Sequence, residues 1–351
     1  MFRVKKSAFG IFCFCLSLAF ISCASGSKTG SRNAEPGWIR DPYSKYDKQT
    51  NVAAVGSGSN RQAAEKNALG NLVAIFGQAI YVDEKVSTLY KEAVSKGIAA
   101  EWSDFTAIDN TVATSAGLDS LVGAEIGDAW NNGGNEYYAV AVLNKTKAIQ
   151  IYSNMIRSNQ VMINNLINLS DTDKYSLEGY SRYQLAATVA DINYGYGNLL
   201  SVIGSPALAM GLGKGDDYRF EAVSIARAIP LNLVVQNDPS GRIQGAFSKI
   251  LSGMGFQSGS GNSRYLLDIK VNSTPVDLPN NQNKFTRIEV SADLIDEYSA
   301  TVLLPYNFNI REGHLTQSEA DNRAFTAAER KINSEYANIL NGYLSQLLPR
   351  K

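Results

Sequence analysis

Small and apolar residues fill "NVAAVGSG", residues 51–58, and predict a short strand. The period then changes. Ala64, Ala68, Leu72, Ile75 and Ala79 recur at helical spacing, flanked by Leu69, Val73, Phe76 and Ile80, which predicts a helix with a wide apolar face. Ser59 with Gln62 three residues later matches a capping box for its start. Further along, Val122, Ala124 and Ile126 alternate with Gly123, Glu125 and Gly127, and Asn132-Gly133 is a favoured turn pair. Tyr138, Val140 and Val142 share one face of the return strand, so the segment reads strand, long helix, β-hairpin.

From 145 to 203 the spacing is helical again, with Ile149, Tyr152, Ile156, Ile163, Leu166 and Leu169 along one run. "SDTDKYSLEGY" interrupts it, with Ser170 or Asp171 as the cap of the next helix, which carries Tyr180, Tyr183, Ala187, Ala190 and Tyr194. Two helices joined by a short polar turn predict an antiparallel helical hairpin. The tyrosines form either a sugar- or peptide-binding surface or, more simply, rings packed between helices with wet hydroxyls. "GSPALAMGLGKGDD" reads as loop, giving a linker over 204–217.

Beyond it, "IPLNLVVQND" alternates as a strand, and "PSGRIQGAFSKILSGMGF" reads as a proline-initiated helix ending near Gly253 or Gly255. "RYLLDIKVNSTPV", "KFTRIEVSADLIDEY" and "ATVLLPYNFNI" predict three more strands. A last helix starts at a second capping box, Thr316 to Glu319, and carries Ala320, Ala324, Ala328, Ile332, Tyr336, Leu340, Tyr343 and Leu347. The expected fold class is α+β. Two small α/β-layer domains, strand-helix-hairpin over 36–144 and β-α-β-β-β-α over 218–351, are joined by the helical hairpin.

The amino terminus changes the picture from fold to location. Arg3, Lys5 and Lys6 precede an uncharged, largely apolar run from Ser7 to Ser22, too short to span a bilayer and right for a signal peptide over 1–22. After Cys23 the chain turns small and polar, a flexible tether over 23–35. The three cysteines, Cys13, Cys15 and Cys23, all lie in this leader, so the folded part offers no thiolate nucleophile or ligand. A cysteine at that junction resembles the bacterial lipoprotein signal, although Phe20 and Ser22 in "FISC" depart from its commonest form. The resemblance implies cleavage before Cys23, acylation of its thiol (palmitate among the chains) and anchoring to a membrane rather than spanning it. Ala24, where some lipoproteins carry a retaining aspartate, implies the outer membrane.

With that leader in view, "EPGWIRDP", the strand ending "VGSGSN", the helix "RQAAEKNALGNL" and the closing "EYYAVAVL" resemble the Lpp-twenty lipoprotein family over residues 36–145. The amino-terminal domain of a flagellar basal-body ring assembly protein has a similar pattern. The resemblance implies an envelope lipoprotein with no catalytic residues to carry over. The carboxy-terminal order of elements resembles the small envelope domain of TolB amino-terminal modules and curli-secretion-type lipoproteins.

Each candidate for chemistry fails on its own residues. A dinucleotide fingerprint needs G-x-G-x-x-G; Gly56 and Gly58 fit, but Arg61 holds the third place and Asp83 and Glu84 continue a helical stretch. "GLGKGDD" lacks the P-loop's first glycine, at Leu208, and its Ser or Thr, at Gly215. "DTDKYS" opens like a calcium loop, but Tyr175, Ser176 and Arg182 occupy ligand or turn positions. His314 is the sole histidine, placed in a turn before the last helix, and Ser25 and Lys28 have Ser–Lys spacing only within the tether. Asp216 with Asp217 and Asp296 with Glu297 remain as paired carboxylates. With 33 basic and 33 acidic residues the chain has no excess charge for nucleic acid.

The expectation is therefore a membrane-anchored, non-enzymatic bacterial envelope lipoprotein that binds or scaffolds an envelope protein, with Cys23 as its one functional residue and no cofactor, metal, nucleotide or nucleic acid. The alternatives are an assembly factor of a flagellar or secretion apparatus and a carboxylate-dependent envelope hydrolase.

Overall fold

The computed structural model describes residues 34–77, 121–257 and 263–349. Cys23, Ser25, Lys28, Ala79, Ile80, Asp83 and Glu84 lie outside them. The fold is α+β, with two sheets among the described residues.

The first sheet contains β1 (Asn51–Gly58), β2 (Ala124–Asn131) and β3 (Tyr137–Asn144), all antiparallel in the order β1-β3-β2. Helix α1 (Arg61–Phe76) covers one face. Its contact stripe is Ala64, Ala68, Leu72 and Phe76, against Val52, Ala54, Ala139 and Ala141. Ile75, expected on that stripe, is 48% exposed. Small residues on both surfaces bring helix and sheet close. Asn67 and Asn71 then donate to the Ser57 and Val55 carbonyls, satisfying the free edge of β1. The helix is capped by Asn60, whose side chain accepts from the Ala63 amide, and not by the Ser59–Gln62 pair.

A bulge at Gly127 breaks the alternation predicted for β2. Ile126 pairs with Ala141 and Asp128 with Val140, so Asp128 and Trp130 turn to the face away from α1. Tyr138, Val140 and Val142 do share that face, with Trp38 packed on it.

Helices α2 (Lys145–Ile167) and α3 (Leu177–Val202) lie antiparallel. Tyr152 meets Tyr196 at 5.3 Å between ring centres, and the Asn159 amide donates to Asn193 Oδ1 at 2.8 Å in the fully buried interface. Ser170 caps only a single turn, Asp171–Lys174; the cap of the long helix is Ser176. Leu185, Val189, Ile192 and Leu199 of α3 join the core of the first sheet, while Leu177, Tyr180 and Tyr183 join the second core.

The stretch read as linker holds a 3-10 turn, Pro206–Ala209, and the start of a helix the sequence reading did not foresee, α4 (Gly215–Ala228). Its first residue is glycine for a steric reason: a Cβ there would stand 2.7 Å from the Ala187 carbonyl oxygen of α3. Beyond it the second sheet runs β4 (Leu231–Gln236), β5 (Tyr265–Val276), β6 (Lys284–Asp296) and β7 (Thr301–His314), in that spatial order. β4 and β5 are parallel across helix α5 (Arg242–Gly253), and the others are antiparallel. Helix α5 starts at Arg242, three residues after Pro239 and directly behind a left-handed Gly241, so proline does not initiate it.

The last helix, α6 (Gln317–Gln346), is capped by Thr316 as expected. Its buried positions are Ala320, Ala324, Ala328, Ile332, Tyr336, Leu340 and Leu344, with Leu344 where the reading placed Tyr343 and Leu347. A repeat of four residues overshoots the helical turn by about 40° per step, so the stripe winds around the helix. It follows a twisted sheet face.

Candidate functional site

Among the described residues, those singled out for chemistry are dispersed, and most are already engaged. Asp216 and Asp217 open α4, where two carboxylates complement the helix dipole. Asp217 accepts from the Lys214 amide at 3.3 Å, and Asp216 pairs with Arg219 at 2.9 Å. Arg219 also grips Asp191 of α3 at 2.7 Å, and these carboxylates hold its guanidinium above the ordinary arginine value. Asp296 is buried at the β6 end of the hairpin. It accepts from the Tyr298 amide at 2.9 Å and pairs with Arg264 at 3.2 Å, so it builds the turn. Glu297 donates its backbone amide to the Arg264 carbonyl.

His314 closes β7, opposite Lys284, and does not sit in a turn. Its Nδ1 accepts from the Thr316 amide at 3.5 Å, beside the α6 cap. Ser170 and Asp173 of the calcium-like stretch spend their oxygens on each other and on the local helix turn. Among the described residues, no group of three or more His, Cys, Asp or Glu is placed to hold a metal ion. Tyr180 and Tyr183 are buried, Tyr180 at 4.9 Å from Phe256, while Tyr194 is 47% exposed.

The glycines of the opening strand answer the nucleotide question. A Cβ at Gly56 would lie 2.6 Å from the Ala68 Cα, and one at Gly58 equally close to the Ala64 nitrogen. Their missing side chains admit the backbone of α1 rather than a pyrophosphate.

The most elaborate cluster lies on the other face of that sheet, where the chain enters from the leader. Trp38 is buried on Ala53, Val140 and Val142, and Tyr43 and Tyr46 pack beside it. The bulge turns Asp128 to this side, where it pairs with Lys45 and accepts from the Tyr46 hydroxyl at 3.0 Å. Burial first, then the bond and charge of Asp128, push the Tyr46 phenol up to about 12. The Lys45 ammonium holds the Asp128 carboxyl below the usual range. Lys145 adds a bond to the Lys48 carbonyl at 2.9 Å. Residues 37–48 are thus fastened to the sheet by one apolar plug and a set of polar clasps. Sequence reasoning missed the clasp because Asp128 faces this side only through the bulge; the aromatic run Trp38, Tyr43, Tyr46 was the available signal.

Among the described residues, no helix is long and apolar enough to cross a membrane. Three solved structures are similar at low identity. A candidate lipoprotein from Caulobacter crescentus CB15 is 16% identical over 34% of this chain and 93% of its own, with a TM-score of 0.25. The secreted protein HP1454 from Helicobacter pylori is 13% identical over 80% of this chain and 97% of its own, at 0.42. A minor lipoprotein from Acinetobacter baumannii is 16% identical over 35% of this chain and 97% of its own, at 0.24. No curated protein matches the chain. Residues 36–144, the first sheet with its clasped entry segment, match the model of the LPP20 lipoprotein family.

Proposed function

We propose that the protein is a bacterial cell-envelope lipoprotein that binds or scaffolds an envelope partner, held to the membrane by acyl chains on Cys23 after removal of residues 1–22. The observation that carries this reading is the match of residues 36–144 to a lipoprotein family directly after a leader whose last cysteine stands at a polar junction. The thirteen residues 23–35 reach at most about 45 Å fully extended. The first sheet is therefore confined to a thin layer next to the bilayer. Confinement raises the effective concentration of its surfaces toward any partner in that layer. The Trp38 plug and the Lys45–Asp128 clasp end the tether at a fixed point, so a pull on the anchor acts on the sheet and not on a loose loop. Outer-membrane residence is part of the proposal, motivated by Ala24.

The test is crosslinking in intact cells, affinity capture and mass spectrometry. Reproducible recovery of envelope proteins would support a scaffold, and basal-body or secretion components among them would make it an assembly factor. Recovery of only abundant lipoproteins would count against a dedicated partner. The hydrolase alternative predicts loss of turnover in Asp296→Asn. Because Asp296 holds the β6–β7 turn, that variant requires a folding control by circular dichroism.

A further inference from the structure

Among the described residues, helices cover the second sheet on one face only. α6 packs against β6 and β7 and α5 against β4, and the buried core includes Leu267, Ile269, Ile288 and Val290. The opposite face is built from alternate residues, and the strand register arranges them in six cross-strand rows. At one end stands an apolar row, Leu266, Ile295 and Val302. The second row is acidic, with Asp268 opposite Asp293. The third carries Lys270 opposite Ser291, and the fourth Asn272 opposite Glu289. The fifth is basic, Arg287 opposite Arg311. The sixth is apolar again, Val276 opposite Phe285, with the Phe285 ring lying over Gly313.

This order reads apolar, acidic, lysine, glutamate, arginine, apolar. Reversed end for end, apolar rows meet apolar rows and, on β6, Asp293 meets Arg287, while Asp268 and Lys270 of β5 already pair with each other at 3.2 Å within the chain. We infer that the open face of the second sheet is a dimerisation surface for a second copy of this chain, packed face to face. The two-fold axis would run across the strands, between the third and fourth rows.

That axis lays each strand over its own counterpart running the opposite way. Ile295 meets the second copy's Phe285, Asp293 meets its Arg287, and Leu266 meets its Val276. A two-fold axis along the strands would instead set acidic row on acidic row and arginine on arginine, which like-charge repulsion disfavours. The interface is isologous, as closed dimers require. Two features within one chain support it. Arg287 and Arg311 sit directly opposite each other, a like-charge pair that is unfavourable on a sheet until an anion faces it. Neither Arg287 nor Asp293 forms a hydrogen bond or ion pair with another described residue, so both are available for the partner.

Six rows at two residues each extend about 34 Å along the strands, and three strands with their side chains are about 15 Å wide. The pair would bury on the order of 1,000 Å², the lower limit for a specific interface. The dimer is accordingly weak, in the micromolar range, and concentration-dependent. The inference does not depend on lipid anchoring.

The experiment is sedimentation velocity of the full chain in density-matched detergent, from about 1 to 200 μM, a range bracketing a micromolar constant. The wild type is expected to shift from monomer to dimer. Arg287→Asp and Asp293→Arg should each weaken dimerisation by about tenfold, since each mutates two symmetry-related pairs. The double variant Arg287→Asp/Asp293→Arg should restore it. A wild type that stays monomeric throughout the range would overturn the inference. A dimer indifferent to both single variants, or one not rescued by the double, would overturn it too. Circular dichroism of each variant separates lost dimerisation from lost folding.

Discussion

Replacing Gly56 by alanine adds one methyl group at the tightest helix–sheet contact in the first sheet. The new Cβ would stand 2.6 Å from the Ala68 Cα, with the Asn67 carbonyl carbon and the Ala68 amide nearer still. These are backbone atoms, so no side chain can swing aside. Relief requires α1 to retreat by about 1 Å to reach ordinary carbon–carbon separation. A gap of that size forfeits a quarter to a half of the dispersion energy wherever Ala64, Ala68, Leu72 and Phe76 face the sheet. It also stretches the Asn67 and Asn71 bonds to β1. Overpacking of this kind costs about 1–3 kcal/mol, offset in part by roughly 0.5 kcal/mol for removing a strand glycine. A net loss of about 2 kcal/mol is expected. Gly70 in the same helix is the internal control: nothing lies within 4 Å of a Cβ there, so Gly70→Ala should stabilise by about 0.5–1 kcal/mol. The three tryptophans, Trp38, Trp102 and Trp130, all precede the second sheet, so urea unfolding followed by tryptophan fluorescence reports on this part of the chain. A Gly56→Ala protein within about 0.5 kcal/mol of wild type would refute the close approach as the reason for the glycine.

The same glycines predict that the purified protein gives no saturable heat with NAD or ATP in micromolar calorimetry, because α1 fills the space a pyrophosphate would need; binding there would contradict the packing reading. Asn193→Ala should cost about 2 kcal/mol in the same urea assay, since it withdraws a buried partner from Asn159 and from the Ile156 carbonyl; an unchanged midpoint would show that the pair is dispensable. Asp128 has its folded pKa depressed by Lys45, so its contribution is fully present above the ordinary carboxylate range and is lost as pH falls through the lowered folded value. Asp128→Asn should therefore destabilise at pH 7 and flatten the acid limb of stability below about pH 4, whereas wild type and variant with parallel acid limbs would refute the clasp.

Period and turn chemistry made most elements legible. Strand β1 matches its apolar run residue for residue, and β5 and β6 begin and end within a residue or two of the alternating patterns that predicted them. What escaped was set by distant contacts. Helix α4 was hidden because "GLGKGDD" carries loop residues, and the reason for Gly215 is the nearness of α3, far away in sequence. The cap fell to Asn60 rather than Ser59 because either residue can accept from a helix amide and the strand's exit decides which one is in place. Gly127 inside a strand pattern was the local hint of a bulge, but only the pairing with β3 shows that it is one and so decides which side Asp128 faces and whether a clasp exists. β7 runs on to His314 because β6 offers partners down to Lys284, although "REGH" alone has little strand character. The row pattern on the open face was in the sequence throughout. It becomes visible only once register aligns three strands.

Metabolic labelling with a palmitate analogue, read together with membrane fractionation, tests the lipid-anchored account most directly. The wild-type chain should carry label and sediment with membranes through a high-salt wash, and Cys23→Ser should lose the label and appear in the soluble fraction. A wild type without label, or a Cys23→Ser protein that stays membrane-bound after the wash, would contradict anchoring through Cys23.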